Sequence, residues 1–367
     1  MTPERHRKIS KLFLEVCDLP ADEVEGVLNA SCGEDSDLRQ QVQVLLRQDQ
    51  LPGFEGDVDS AGVESGDFYE EQEQSSEDAD TNPVIPPRRP IIPDFELLEL
   101  IGQGGVSQVW RAREKSTQQE IAIKVHNLTA FSSVDGLTRF EREIKLAASL
   151  NHRHIATIYD SGHHGDIYYY TLQLIEGSRL DHYVAEHSLS DEAILRLFSI
   201  VCDAVEHAHG KSIIHRDLKP SNILVAANGH PYVLDFGLAK AMEGVMKEAS
   251  LTMEGDILGT LEFMAPEQAL GDQQQVGKTT DIYSLGLILY RLLTGHSPID
   301  TEGTRYALLK RMQSGKVDPP QLYRDDLDPK IAEIVMKALE RKPEDRYSSA
   351  GAMNADLRDV IRNLRFS

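Results

Sequence analysis

The octapeptide H-R-D-L-K-P-S-N at residues 215–222 restricts the folding of this chain more than any other stretch. Apolar runs flank it, with two isoleucines at 213–214 on one side and Ile-Leu-Val at 223–225 on the other. Short apolar runs bounded by polar residues are typical of buried strands. A loop pinned in such a framework can turn several polar side chains toward one site, so the stretch predicts a rigid functional loop.

The residue types in this loop suit phosphoryl transfer to a hydroxyl group. That reaction depends mostly on positioning and on charge stabilisation, with little covalent help from the protein. Asp217 would hold the acceptor hydroxyl and take its proton, and Lys219 would offset negative charge on the transferring phosphate. Asn222 would hold a magnesium ion through its amide oxygen. An H-R-D tripeptide alone occurs by chance, whereas lysine and asparagine at these offsets are a stronger signal.

Further motifs lie on both sides of this loop and make a chance match implausible. Upstream, a glycine-rich turn begins at Gly102, and a strand-like I-A-I-K run ends at Lys124. Downstream, D-F-G occupies residues 235–237 and A-P-E occupies residues 265–267. Glycine lets a backbone come close to phosphates where a side chain would not fit. The glycine turn alone is weak evidence, and the order of the motifs is the stronger signal.

With these motifs in this order, the segment from about Phe95 to Leu364 resembles the eukaryotic-like protein kinases, most of all the bacterial serine/threonine branch. The resemblance implies an α+β, two-lobed fold with a small, mainly β N-lobe and a larger, α-helical C-lobe. It implies a non-specific serine/threonine protein kinase that uses ATP and Mg²⁺ and acts on protein substrates. Lys219, together with Thr260 before A-P-E, favours serine and threonine hydroxyls over tyrosine.

The resemblance also implies a nucleotide site. Phosphate and adenine contacts would come from the glycine turn and its flanks, namely Ile101, Gly102, Gln103, Gly104, Gly105, Val106, Ser107, Gln108 and Val109. The family pattern expects a third glycine where Ser107 stands, and we expect Gly105 to supply that flexibility. The base would lie among Ala122, Leu172, Leu174 and Leu224, with backbone groups near Gln173 and Leu174 at its edge. Lys124 would grip the phosphates and pair with Glu143.

Other residues would support this site by analogy with the family. Asp235 would bind magnesium together with Asn222, because a hard cation prefers oxygen ligands. Phe236 would pack against the helix that carries Glu143. Asp281 would cap backbone amides of the catalytic loop. Arg346 and Glu267 would form a buried ion pair.

The polar segment between D-F-G and A-P-E resembles an activation segment. We expect Thr252 to be autophosphorylated, which would order the segment, and Arg216 to receive that phosphate. Glu254 stands where many bacterial relatives carry a second threonine and would partly imitate its charge. Thr260 is expected to hydrogen-bond Asp217 and Lys219 rather than to act as a switch.

The chain ahead of the kinase-like segment divides into two parts. Residues 1–50 show helical spacing of apolar residues and predict short amphipathic helices, which would form an inert appendage, dimerise or dock on a partner. Residues 51–93 are acidic and then proline-rich, which predicts a disordered linker. The kinase domain would then span residues 94–365.

Composition limits which kinds of partner the chain can bind and which cellular compartment suits it. The chain has 38 Lys and Arg against 60 Asp and Glu, a formal net charge of -22 that disfavours general nucleic-acid binding. Its 3 cysteines are scattered, which fits a reduced, cytoplasmic protein without disulfides or a zinc site. No run reaches the roughly 18 apolar residues of a membrane span. The chain stops about where the kinase should end, so we expect no membrane-anchored sensor.

Three alternatives stay open at this point. A pseudokinase scaffold would bind nucleotide without transfer, but the main catalytic positions are all occupied as the family expects. A small-molecule phosphotransferase would not need the A-P-E segment or its Arg346 partner. In a third alternative, the N-terminal helices carry the biological role and the kinase serves as a tether.

Overall fold

The structure is a computed structural model of the 367-residue chain. It describes residues 89–104, 107–127, 134–165, 167–237, 262–299 and 305–364, together with scattered positions between residues 12 and 42. The chain divides into two compact units, Met1–Ile85 and Pro86–Ser367, which are described separately below.

In the first unit, the described residues at 12, 26–28, 31–32, 38–39 and 42 are helical. Leu28, Leu38 and Val42 are buried, as expected for amphipathic helices that share a small core. The amide of Leu38 donates a hydrogen bond of 3.0 Å to Asp35 Oδ1, which satisfies a free N–H at a helix start. The rest of the predicted helical region and linker residues 51–88 lie outside the described residues, so their helicity and disorder stay predictions.

The N-lobe is built on a five-stranded antiparallel sheet with the order β1-β2-β3-β5-β4. Its elements are β1 (Phe95–Gly104), β2 (Ser107–Glu114), β3 (Glu120–Asn127), α1 (Val134–Ala148), β4 (Ile158–His164) and β5 (Ile167–Leu172). Side chains alternate between the two faces of a strand, so each face has its own apolar cluster. One cluster joins α1 to the sheet through Phe140, Ile144 and Tyr170. The other contains Trp110 and Ile123 on the opposite face.

Residues just ahead of β1 belong to this lobe. Ile92 is 2% exposed and packs in the same cluster as Trp110. The guanidinium of Arg89 lies 5.9 Å from the Trp110 ring centre, within the range of a cation–π contact. The predicted disordered linker, 51–93, is therefore too long at its C-terminal end, because an isoleucine in a proline-rich stretch completes the core below the sheet.

The C-lobe is mainly helical. Its helices are α2 (Leu180–Glu186), α3 (Asp191–Gly210), α4 (Pro266–Ala269), α5 (Lys278–Thr294), α6 (Arg305–Ser314), α7 (Pro329–Ala338) and α8 (Ala350–Leu364). A small antiparallel sheet contains β6 (Gly177–Arg179), β7 (Ile223–Ala226) and β8 (Pro231–Val233). One large apolar cluster unites α3, α5, α7 and α8. The predicted α+β, two-lobed fold is thereby confirmed.

Local sequence signals fix the ends of the two central helices of this lobe. Ser190 accepts a hydrogen bond of 3.3 Å from the amide of Ala193 and so caps the start of α3. Helix α5 ends at Gly295, which has a φ of 75°. Glycine takes this left-handed conformation without strain and is common directly after a helix. These two signals define where α3 begins and where α5 ends.

A buried ion pair ties the A-P-E segment to the C-terminal part of the lobe. Arg346 Nη1 and Nη2 lie 2.8 and 2.9 Å from the two carboxylate oxygens of Glu267. The two side chains are 0% and 3% exposed. Thr280 Oγ1 donates a further hydrogen bond of 2.9 Å to the Glu267 carboxylate. The predicted pair between these residues is confirmed.

We predict that Arg346→Met lowers the free energy of unfolding by about 3–5 kcal/mol, because it leaves the Glu267 carboxylate buried without its counter-charge. The matched control is Arg358→Met, which breaks an ion pair with Asp203 whose side chains are 56% and 45% exposed. That change should cost about 1 kcal/mol or less. Urea denaturation of the three proteins measures both losses, and equal losses would contradict the assignment.

Candidate active site

The catalytic loop at 215–222 is held from below by one buried carboxylate. The amides of His215 and Arg216 donate hydrogen bonds of 2.8 Å to the two oxygens of Asp281 on α5. His209 Nε2, at the end of α3, lies 2.7 Å from Asp281 Oδ2. Asp281 is fully buried, and a buried charge persists only when such partners replace water. The predicted capping role of Asp281 is confirmed, and His209 has a structural role.

The loop backbone is strained at Arg216, which has a φ of 68°. A non-glycine residue in this region costs free energy and persists only where its surroundings fix it. Asp281 holds the Arg216 amide, and Gln268 Nε2 donates a hydrogen bond of 2.7 Å to the Arg216 carbonyl. Gln268 Oε1 also accepts a hydrogen bond of 3.3 Å from the Ala265 amide. Gln268 therefore couples the A-P-E segment to the loop, and it was missed although it directly follows A-P-E.

His215 connects the loop to the D-F-G segment. Its Nε2 lies 2.7 Å from the Leu234 carbonyl, which can only accept, so this nitrogen carries the proton. Nδ1 is then free to accept a hydrogen bond of 3.3 Å from the Asp217 amide. The His215 ring also packs against Phe236, with the ring centres 4.8 Å apart.

The position of Phe236 corrects one expectation. Phe236 was predicted to pack against the helix that carries Glu143. The structure instead buries it in the apolar cluster of the C-lobe, next to the His215 ring. The left-handed backbone at Asp235 and Gly237, with φ of 58° and 73°, sets the path of the chain on both sides of the phenylalanine. A sequence motif does not show which lobe such a ring enters.

Asp217, Lys219 and Asn222 lie together, as the sequence predicted. Lys219 Nζ lies 3.1 Å from Asp217 Oδ2. Asn222 Nδ2 donates hydrogen bonds of 2.7 and 3.1 Å to the carbonyl and to Oδ2 of Asp217. The Asn222 amide oxygen is the acceptor end of the same side chain, so it remains suited to a cation. The Asp217 and Lys219 side chains are 32% and 22% exposed, which leaves them accessible to a substrate.

Asp235 meets two side chains of the N-lobe. Lys124 Nζ lies 2.7 Å from Asp235 Oδ2, and the Tyr170 hydroxyl donates a hydrogen bond of 3.0 Å to Oδ1. Burial alone would raise the pKa of Asp235, but the Lys124 charge and the hydrogen bonds from Lys124 and Tyr170 outweigh burial and lower that pKa. Asp235 is therefore ionised, which suits a carboxylate that is to bind a cation.

The ion pair of Lys124 differs from the expected one. We expected Glu143 as the partner, whereas the ion pair that the described residues show for Lys124 is with Asp235. Glu143 lies on α1 with Oε2 3.9 Å from the position that a Cβ on Gly237 would take. It lines a small cavity with Ile213 and other residues of the catalytic loop region. Helix α1 therefore carries Glu143 toward the D-F-G segment.

The residues predicted around the adenine base fall on both lobes. Val109, Ala122, Leu172 and Leu174 belong to the apolar cluster under α1, and Ala122 is the cross-strand partner of Leu172. Leu224 lies on β7 in the C-lobe. The Gln173 amide donates a hydrogen bond of 2.8 Å to the Thr157 carbonyl, so it serves the fold. Because this amide is already used within the fold, the Gln173 carbonyl is the better candidate for a hydrogen bond to the edge of the adenine base.

The glycine-rich turn is a hairpin between β1 and β2. The cross-strand partners are Gly102 with Val109, Gln103 with Gln108, and Gly104 with Ser107. Ile101 precedes them on β1 and is 45% exposed. Ser107 is thus paired in the sheet, and the departure from the family pattern leaves the hairpin intact. Gly105 and Val106, at the tip, lie outside the described residues.

The donor set fits magnesium. Asn222 offers an amide oxygen and Asp235 an ionised carboxylate, the oxygen ligands that a hard cation prefers. Within the described ranges, no group of three or more His, Cys, Asp or Glu side chains is arranged to hold a metal ion. A cation at Asn222 and Asp235 would complete its coordination with water or with phosphate oxygens.

The comparisons with known proteins agree with this geometry. The sequence model of the protein kinase domain family matches residues 95–357, and the chain belongs to this family. It is 34% identical over 279 residues to the serine/threonine-protein kinase PrkC of Bacillus subtilis, which covers 74% of this chain and 42% of PrkC. The predicted resemblance to bacterial-type serine/threonine kinases is confirmed.

Two further relatives show the same pattern. The serine/threonine-protein kinase PknB of Mycobacterium tuberculosis is 33% identical over 268 residues, covering 72% of this chain and 42% of PknB. The serine/threonine-protein kinase pkn3 of Myxococcus xanthus is 35% identical over 279 residues, covering 74% of this chain and 50% of pkn3. The aligned part spans half or less of each relative.

In the parts of the chain that the structure describes, no helix is long and apolar enough to cross a membrane.

Proposed function

We propose that this chain is an ATP-dependent protein kinase that transfers the γ-phosphate to serine and threonine hydroxyls of proteins. The observation that carries the proposal is the meeting of Asp217, Lys219 and Asn222 on one fixed loop, below the ion pair of Lys124 and Asp235. Phosphoryl transfer needs such positioning and charge more than covalent chemistry. Relatives named as serine/threonine-protein kinases support the same class.

In this proposal the nucleotide lies between the lobes. The base packs against Val109, Ala122, Leu172 and Leu174 from one side and Leu224 from the other, because these apolar side chains come from facing lobes. The rest of the glycine hairpin, from Ile101 to Gln108, covers the phosphates. Lys124 binds the phosphates, and in doing so it gives up part of its ion pair with Asp235. Glu143, close to Gly237, stabilises the lysine when the cleft closes around ATP.

The magnesium ion, when bound by Asn222 and Asp235, supplies positive charge to the phosphate oxygens. The chain's own residues supply the rest of the chemistry. Asp217 orients the substrate hydroxyl and accepts its proton, and it is held for this by Asn222 and by the His215 ring. Lys219 lies 3.1 Å from the same carboxylate and offsets charge on the transferring group.

Protein substrates fit this site better than small molecules. The A-P-E segment is fixed by the buried pair of Glu267 and Arg346 and is linked to the catalytic loop through Gln268. A segment with such anchors can form a platform for a polypeptide. We propose serine and threonine as acceptors because Lys219 lies beside Asp217, and we place the protein in the reducing cytoplasm, where its buried Cys202 stays a free thiol.

We predict that Asp217→Asn abolishes self-labelling by labelled ATP and magnesium, with a loss of about 100-fold or more because the general base is gone. Nucleotide binding should be kept, since Asp217 does not line the proposed base pocket. Asp359→Asn is the matched control, because Asp359 lies on the exposed side of α8 and pairs with Arg362. Wild-type protein that binds ATP but transfers no phosphate under any activating condition would support a nucleotide-binding scaffold instead.

We also propose that the protein phosphorylates itself at Thr252, which lies outside the described residues, as do Thr260 and Glu254. The prediction is that mass spectrometry finds phosphate on Thr252 in wild-type protein and none in Asp217→Asn. Thr252→Ala should lower turnover of a peptide substrate, because the phosphate that would order the segment is lost. Ser250→Ala serves as the control. An unmodified Thr252 in fully active protein would refute the proposal.

Residues 1–50 are proposed to associate with a second copy or with a partner protein. A protein that begins at Pro86, the start of the second compact unit, tests this without cutting into the core formed by Ile92. We expect unchanged turnover and a loss of self-association or partner capture, measured by light scattering. A strong fall in turnover would show instead that the region supports the kinase domain.

A further inference from the structure

Tyr170 is a buried tyrosine whose hydroxyl reaches the D-F-G segment. It lies on β5 in the N-lobe, directly after Tyr168 and Tyr169. The ring is 1% exposed, and the hydroxyl donates a hydrogen bond of 3.0 Å to Asp235 Oδ1. A hydroxyl in an apolar cluster is costly unless it has a partner, and here the partner is the carboxylate proposed to bind magnesium.

The sheet register places Tyr170 and Lys124 at one carboxylate. The two residues are direct cross-strand partners between β3 and β5. Such partners have Cβ atoms about 5 Å apart on the same face, so their long side chains can reach one target. Lys124 takes Oδ2 and Tyr170 takes Oδ1. Two donors on two oxygens fix both the position and the plane of the Asp235 carboxylate.

The Tyr170 ring has little room to move. It stacks on His126, with ring centres 5.8 Å apart, and His126 in turn packs edge to face against Phe140 of α1. His126 is 3% exposed, and neither of its ring nitrogens has a hydrogen-bond partner among the described residues. A hydroxyl on a ring held this way stays in place while a flexible lysine moves, because buried rings are locked by close packing.

We propose that Tyr170 is a positioning residue for Asp235 and thereby sets the affinity of the site for magnesium. The inference rests on the proposed role of Asp235. Each carboxylate oxygen accepts more than one hydrogen bond or metal contact, so the Tyr170 hydroxyl leaves an acceptor position on Oδ1. When Lys124 turns to the phosphates, Tyr170 remains as the donor that orients the carboxylate. Partners of this kind behind a metal ligand are worth about 10–100-fold in metal affinity.

The test is Tyr170→Phe, which removes the hydroxyl and keeps the ring. The matched control is Tyr168→Phe on the same face of β5, whose ring is also buried and packs edge to face against Phe140 of α1. Binding of a fluorescent, non-hydrolysable ATP analogue is titrated with magnesium. Tyr170→Phe should need about ten times more magnesium for half-maximal binding, and Tyr168→Phe should match the wild type. Excess magnesium should restore turnover in Tyr170→Phe.

Every other outcome counts against the proposal. An unchanged magnesium requirement would show that the hydroxyl only packs, and a lower one would show that it competes with the metal. Weaker analogue binding by Tyr170→Phe at saturating magnesium, with normal binding by Tyr168→Phe, would also overturn it, because a positioning role leaves the nucleotide pocket intact. Since binding needs no turnover, a wild type that binds the analogue with magnesium but transfers no phosphate would overturn the proposed function alone.

Discussion

The contacts of Asp281 are the interaction on which the catalytic loop depends. A carboxylate buried in the first turn of a helix, as Asp281 is in α5, is costly unless its oxygens are fully used. Here they accept the amides of two successive loop residues and lie within 2.7 Å of His209. The strained φ of 68° at Arg216 is held between this carboxylate and Gln268. The loop that carries Asp217 is therefore anchored to the core of the C-lobe rather than to its neighbours in sequence.

Much of this arrangement could be predicted from the sequence because it depends on short segments. H-R-D-L-K-P-S-N places Asp217, Lys219 and Asn222 within one loop. Their proximity in the structure follows from their short separation in the sequence. The pairs made by Asp281 and Arg346 join distant residues, and only the resemblance to a family could predict them.

The remaining contacts depend on register and packing, which the sequence does not display. Tyr170 lies among three consecutive tyrosines, and only the pairing of β3 with β5 shows that Tyr170 is the one directly opposite Lys124. The side that Phe236 takes and the choice of Lys124 between Asp235 and Glu143 depend on the left-handed backbone around D-F-G. The burial of Ile92 was hidden by its proline-rich surroundings, which are typical of linkers.

Asp235 joins the lobes as well as preparing a metal site. Its two donors belong to N-lobe strands, whereas its backbone follows β8 of the C-lobe, so both contacts cross the cleft. Opening the cleft would remove the Lys124 and Tyr170 donors from the Asp235 carboxylate, so water or another donor would have to replace both hydrogen bonds. ATP with magnesium offers replacement charges to both Lys124 and Asp235. Nucleotide binding and lobe closure are therefore coupled through one carboxylate, and the Tyr170 hydroxyl remains the contact that need not be exchanged.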